Sequence, residues 1–393
     1  MKAAAIGFAA PLIAIVLLGF ASVATTVTRA AEAAPPNAAQ FSTASADAGF
    51  EARVAEFVES EMRLYPQFAT ALGDHRFDNE IDNLSARGIG EIVAHARKWS
   101  KVFGGIDVKA LSPAHEADRE WLLAHLDGEL PWNEQLRNYE RDPGMFLPTA
   151  AVNGLIKREF APLDQRMRSV TAREIAALKN LQAARKNLKP ARTPKIAIEI
   201  ALQQMPATQA YFKHDVPEAF AKVGDGADKR AFVSANANLA AAIEGYAQWL
   251  KADLEPKAAG EYAIGADAYR RMLNDADMVD IPLDRLEQVG EDELARLQNE
   301  FTKTAAQIDS KHSPADVVRS LAQLHPSATE VLPTVAAGLA DLRDYVVGHH
   351  LASVPSNVLP LVRETPPYMR ATTFASMDSP GPFEKTSEAF FYV

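Results

Sequence analysis

The sequence contains no cysteine. That excludes a disulfide framework, a thiolate nucleophile, a thiolate zinc site and a lipidated amino-terminal cysteine. Basic residues never form a run: Lys and Arg are scattered among more numerous acids, for a formal net charge of -10. Nucleic-acid binders draw much of their affinity from clustered cations on phosphates, so nucleic acid is not an expected partner. The G-x-S-x-G elbow, S-x-x-K, the Walker loop and H-E-x-x-H are all missing. Gly224-Asp225-Gly226 is a loop between helical stretches, not a dinucleotide fingerprint. His115-Glu116 opens like a zincin motif, but Arg119 stands where a second histidine is needed. The pair is expected to be a solvated helix start.

What is present begins with an export signal. Met1-Lys2 precedes an apolar stretch from Ala3 to about Ala24, followed by small residues at cleavage spacing. The stretch is long enough to stay as a membrane anchor. Gly7, Pro11 and Gly19 within it, and the Ala/Pro-rich residues after it, favour a cleaved signal peptide over residues 1–33. A flexible spacer over 34–47 then leads to a helical domain over 48–350 and an extended, β-like segment of the same domain over 351–393. The mature protein is expected to be periplasmic or secreted, with no membrane contact after cleavage.

Apolar residues, 48% of the chain, are enough for a real core, and from Phe50 onward they recur at three and four. Phe50, Val54, Phe57, Val58 and Met62 form the first stripe, which Pro66 interrupts. Ser112-Pro113 and Thr193-Pro194 read as helix starts with a capping hydroxyl and a proline at the first helical position. Ser327 to Glu330 has capping-box spacing. Residues 171–189, 228–255, 258–273 and 284–309 read as amphipathic helices. Beyond residue 350 the pattern changes. The stretches 354–364, 372–377 and 389–393 read as strands, and Ser379-Pro380-Gly381-Pro382 as a turn. The fold class is mainly α, a multi-helix bundle with short β strands near the carboxyl end.

The residues alone select no catalytic set. His125 lies on an apolar helix face, two turns after Asp118 and one turn before Glu129. It is expected to be a core-edge histidine bonded to one carboxylate, with a metal site as the alternative. His349-His350 ends a helix, where two adjacent rings diverge too far to share a metal.

Several blocks together resemble a family of secreted bacterial proteins, domain-of-unknown-function family 885. They are Tyr65-Pro66 through Ala69-Thr70, Leu72-Gly73, His75 and Asp78; Arg158 through Arg166; Gly265 through Leu273; Gly290 through Leu294; and Ala375 through Glu384 with Phe391-Tyr392-Val393. The resemblance implies a helix-rich, zincin-like metallopeptidase scaffold. In that family the zinc motif, similar to H-E-x-x-P-G-H, follows a segment like Phe390–Val393. No residue here receives those ligand assignments, so no metal or cofactor is expected in this chain, whereas zinc is expected in complete relatives. The scaffold reads as incomplete, cut short within 351–393, and inactive alone. Ala375, Ser376, Phe391 and Tyr392 are expected to form or adjoin the cleft that takes a peptide substrate in a complete relative, the alternative being that they only pack the strands onto the helices; a Tyr392 hydroxyl facing a developing oxyanion is the less favoured role. The alternative is a non-catalytic periplasmic helical protein that binds a peptide or an envelope component.

Overall fold

The computed structural model describes residues 38–354, 356–370, 373–385 and 388–393. The expected signal peptide over 1–33 lies outside the described residues. The chain is mainly helical, with one small three-stranded sheet near its carboxyl end. It divides into two units. The first holds residues up to Asp277 together with 366–373 and 379–387; the second holds 278–365, 374–378 and 388–393.

The first unit contains α1 (Ala38–Leu64), α2 (Pro66–Leu72), α3 (Ala86–Gly104), α4 (Pro113–Leu130), α5 (Thr149–Ile156), α6 (Leu163–Asn187), α7 (Lys195–Ala210), α8 (Val216–Ala219), α9 (Ala227–Trp249) and α10 (Ala266–Arg271). Helix α1 begins inside the stretch that composition assigned to a spacer. Its residues there have partners: Ala46 packs on the core formed by α1, α3 and α4, and the Asp47 carboxylate accepts the Ser112 N–H at 3.0 Å. The predicted stripe then buries Phe50, Val54 and Phe57 against Ala96, Trp99 and Phe103 of α3 and Leu122 and Leu126 of α4. A larger core joins α6, α7 and α9 through Met167, Val170, Leu181, Ile198, Met205, Leu239, Ile243 and Tyr246.

Three local expectations change. Ser112 precedes α4 as expected, but its hydroxyl makes no capping bond to an N–H; it meets His115 Nδ1 at 2.9 Å. His115 is not a solvated helix start, because its ring packs edge-on against Phe50 and faces Asp47 and Glu51. Residues 258–265 are not helical. Ala259 and Gly260 instead donate to the carbonyls of Pro190 and Thr193 at 2.8 and 3.1 Å. A Cβ at Gly260 would overlap the Arg192 backbone, and Gly265 holds a φ of 85°. This segment exchanges its helical bonds for ones to a distant turn.

The second unit contains α11 (Leu283–Ile308), α12 (Pro314–Leu321), α13 (Val331–Gly348) and strands β1 (Leu361–Arg363), β2 (Ser376–Asp378) and β3 (Phe390–Tyr392). Ahead of α13, the Ser327 N–H and hydroxyl both donate to Glu330 Oε2, at 3.1 and 2.6 Å, which is half of the expected capping box. The sheet order is β1-β3-β2, with β1 parallel and β2 antiparallel to β3. No helix among the described residues is long and apolar enough to cross a membrane.

Candidate functional site

The four residues expected at a cleft fall on or beside two strands of the second unit. Ser376 opens β2 and Ala375 precedes it, while Phe391 and Tyr392 lie on β3. The register sets Ser376 opposite Tyr392 and Met377 opposite Phe391. Side chains alternate along a strand, so Ser376 and Tyr392 share one face and Phe391 takes the other. The structure brings the first two together and separates them from Phe391. Strand β3 is central: the Tyr392 ring is buried with Phe390 at a centroid separation of 6.0 Å. The Arg363 guanidinium lies over the Phe390 ring, 4.1 Å from its centroid. The outer strands are β1 and β2. Along β2 the Met377 side chain is 52% exposed, and Phe374 just before it is 100% exposed.

Among the described residues no group of three or more His, Asp or Glu side chains is placed to hold a metal ion.

The densest collection of perturbed ionisable groups lies elsewhere, in the first unit, where α1, α3 and α4 meet the start of α2. The Tyr65 hydroxyl donates to Glu129 Oε1 at 2.8 Å. His95 Nε2 meets the Ser60 hydroxyl at 2.9 Å, and its Nδ1 lies 3.5 Å from Glu61 Oε1. Glu61 Oε1, Glu129 Oε2 and His95 Nδ1 are buried with no hydrogen bond. Burial, and then the charge of Glu129, lifts the Glu61 carboxyl well above the usual range. Burial also lifts Glu129, against the opposing bond from Tyr65. Burial lowers His95 and His125 to about 4, with Lys98 and His125 adding to the effect on His95. At neutral pH both imidazoles are therefore neutral, and the carboxyl pair retains a proton that isolated glutamates would have lost. His125 does not take the carboxylate partner expected of it; its ring stacks on Trp121 at 5.4 Å and meets the edge of Phe57. Glu174 of α6 is a separate buried acid. Its Oε1 accepts from Asn236 at 2.8 Å, and burial pushes it up to about 8.

Residues from three of the stretches that carry the family resemblance meet in the first unit around His75: Thr70, His75 and Asp78, then Phe160, then Glu384. Thr70 donates to Asp78 Oδ1 at 2.7 Å and accepts from the buried Arg173 at 2.5 Å. Asp78 Oδ2 in turn holds His75 Nδ1 at 3.0 Å. The His75 ring stacks on Phe160 at 3.6 Å, and its Nε2 faces Glu384 Oε2 at 3.6 Å, an ion-pair separation too long for a hydrogen bond.

The fold has a solved counterpart. A protein from Shewanella oneidensis, described as a candidate lipoprotein of unknown function, superposes with a TM-score of 0.67 at 21% identity. The match covers 88% of this chain and 64% of the Shewanella chain, so this chain spans less than two thirds of that protein's length. No curated protein matches the sequence. The family profile described as bacterial protein of unknown function, DUF885, matches residues 66–393, from the start of α2 through β3. The chain belongs to that family.

Proposed function

We propose that the protein is an exported helical scaffold that holds an extended peptide along β2, as one wall of a metallopeptidase-type cleft. The observation that carries the reading is the position of β2. It is an outer strand of the sheet, with Met377 on it and Phe374 just before it both exposed. An extended peptide adds to such an edge through main-chain hydrogen bonds, while apolar side chains beside the edge grip alternate residues. Export is supported by the composition of residues 1–33 and by the description of the Shewanella protein as a candidate lipoprotein.

The test uses a fluorescent peptide of alternating apolar and polar residues, and a second peptide N-methylated at alternate amides. The full chain is expected to bind the first saturably and the second about tenfold more weakly or worse, since methylation removes ladder donors. Met377→Asp should weaken binding, and the recovered peptide should be uncut. Equal binding of the methylated peptide would overturn strand addition. Cleavage by the purified chain would overturn the scaffold reading.

A further inference from the structure

The turn Ser379–Pro382 and the residues after it join β2 to β3 in sequence, yet this segment belongs to the first unit. There it is seated on the carboxyl end of α2. Phe383 N–H donates to Leu72 O at 2.8 Å. Two glycines allow the approach: a Cβ at Gly381 would overlap the Leu72 carbonyl, and one at Gly73, whose φ is 87°, would overlap the Glu384 backbone. A polar side-chain link spans the seam among the described residues. His75, just past α2, lies between Asp78 on its own turn and Glu384 on the docked segment.

We infer that His75 is the pin of a pH-sensitive clasp: as imidazolium it bridges Asp78 and Glu384 and holds residues 379–385 against α2, and on deprotonation it lets them loosen. Neutral imidazole carries one N–H and no charge, so it cannot satisfy carboxylates on both sides. The flat stack on Phe160 fixes the ring so that its two nitrogens face the two acids. The Arg166 guanidinium lies over the Phe160 ring, 6.0 Å from its centroid.

The charges around His75 favour the bridge. Its own turn contributes Asp74 and Asp78, and the docked segment contributes Glu384. From α6, Arg173 reaches to 4.0 Å from Asp78 Oδ1, which leaves Asp78 Oδ2 to the imidazole. Arg76 is occupied by Asp74 and Glu59. Burial opposes a charge on His75, but the bond and charge of Asp78, then the charge of Glu384, outweigh it and raise the group above its ordinary 6.5. A raised folded value gives stabilisation that is fully present below 6.5 and lost as pH rises through the folded value. The clasp is therefore closed in mild acid and opens toward alkaline pH.

The experiment is amide hydrogen exchange on the full chain at pH 6 and pH 8.5, corrected for intrinsic rates. It compares peptides covering 379–385 with peptides from α9. Protection of 379–385, including the Phe383 amide, is expected to fall several-fold at the higher pH while α9 changes less. The difference is expected to vanish in His75→Gln and in Glu384→Gln. A pH-independent segment, a change shared equally by α9, or the same dependence in His75→Gln would overturn the inference. Should neither variant fold, the wild-type comparison of segment with α9 still decides it.

Discussion

Glu174 isolates the electrostatics of this core in one side chain. It is buried on α6 and bonded to Asn236 on α9, and burial pushes it up to about 8 from an ordinary 4.5. A carboxyl raised on folding makes the native state hold more protons than the unfolded chain between those values, so its contribution to stability falls as pH rises through that window. His95 and His125, lowered to about 4, act in the opposite sense between 4 and 6.5. Glu174→Gln keeps an acceptor for Asn236 and removes the titration. The stability of the wild type relative to this variant is expected to fall between pH 4.5 and 8, by at most about 1.4 kcal/mol per pH unit. The histidine contributions cancel in that difference. Urea unfolding at a series of pH values measures it, and parallel curves for the two proteins would refute it. The sequence pointed to His125 because an imidazole on an apolar face is conspicuous. It did not point to Glu61, and it raised Glu129 only as a neighbour of His125, since a helical glutamate is unremarkable until three helices close over it. A signal was nonetheless present: Glu61 stands four residues after Phe57 and Glu129 four after His125, so both continue a buried stripe.

Among the elements, the long helices were legible because each carries its own apolar period. Helix α11 was expected over 284–309 and spans Leu283–Ile308; the α6 pattern was recognised only from residue 171, whereas the helix starts at Leu163, directly after Pro162. The strands were visible as short runs. Their order was not, because pairing depends on partners distant in sequence. The stretch 258–265 was misread for the same reason: its alternative to a helix is the turn at 190–193, which no local window contains. Glycines show the contrast most directly. Gly73 combines a left-handed backbone with a seam against Glu384, whereas Gly290, within α11, has open space where a Cβ would go. Gly73→Ala is expected to destabilise the first unit by about 2–4 kcal/mol, from positive-φ strain and overlap with backbone. Gly290→Ala is expected to stabilise α11 by about 0.5–1 kcal/mol through helix propensity. Thermal unfolding of both variants checks the opposite signs, and a neutral Gly73→Ala would show that the seam is not close-packed.

At the scale of the whole molecule the two units differ in what they bury. The first has extensive cores, whereas in the second the buried apolar residues among those described are Ala305, Val317, Phe390 and Tyr392. Most of the exposed large apolar side chains belong to the second unit. On α11, Leu294, Leu297, Phe301 and Ile308 recur at three and four, and all four are exposed; only Ala305 on this helix is buried. A 26-residue helix whose apolar stripe faces water presents a contiguous patch of the kind that drives association. The net charge of -10 opposes association over long range but is screened beyond about 10 Å in ordinary salt. The purified chain is therefore expected to self-associate reversibly, more strongly as salt rises, and to bind an apolar dye. Leu297→Glu with Phe301→Glu, both on the exposed stripe, should shift sedimentation toward monomer and reduce dye binding while leaving the unfolding of the first unit unchanged. A wild-type chain that stays monomeric at high salt and binds no dye would show that this stripe is covered within the molecule.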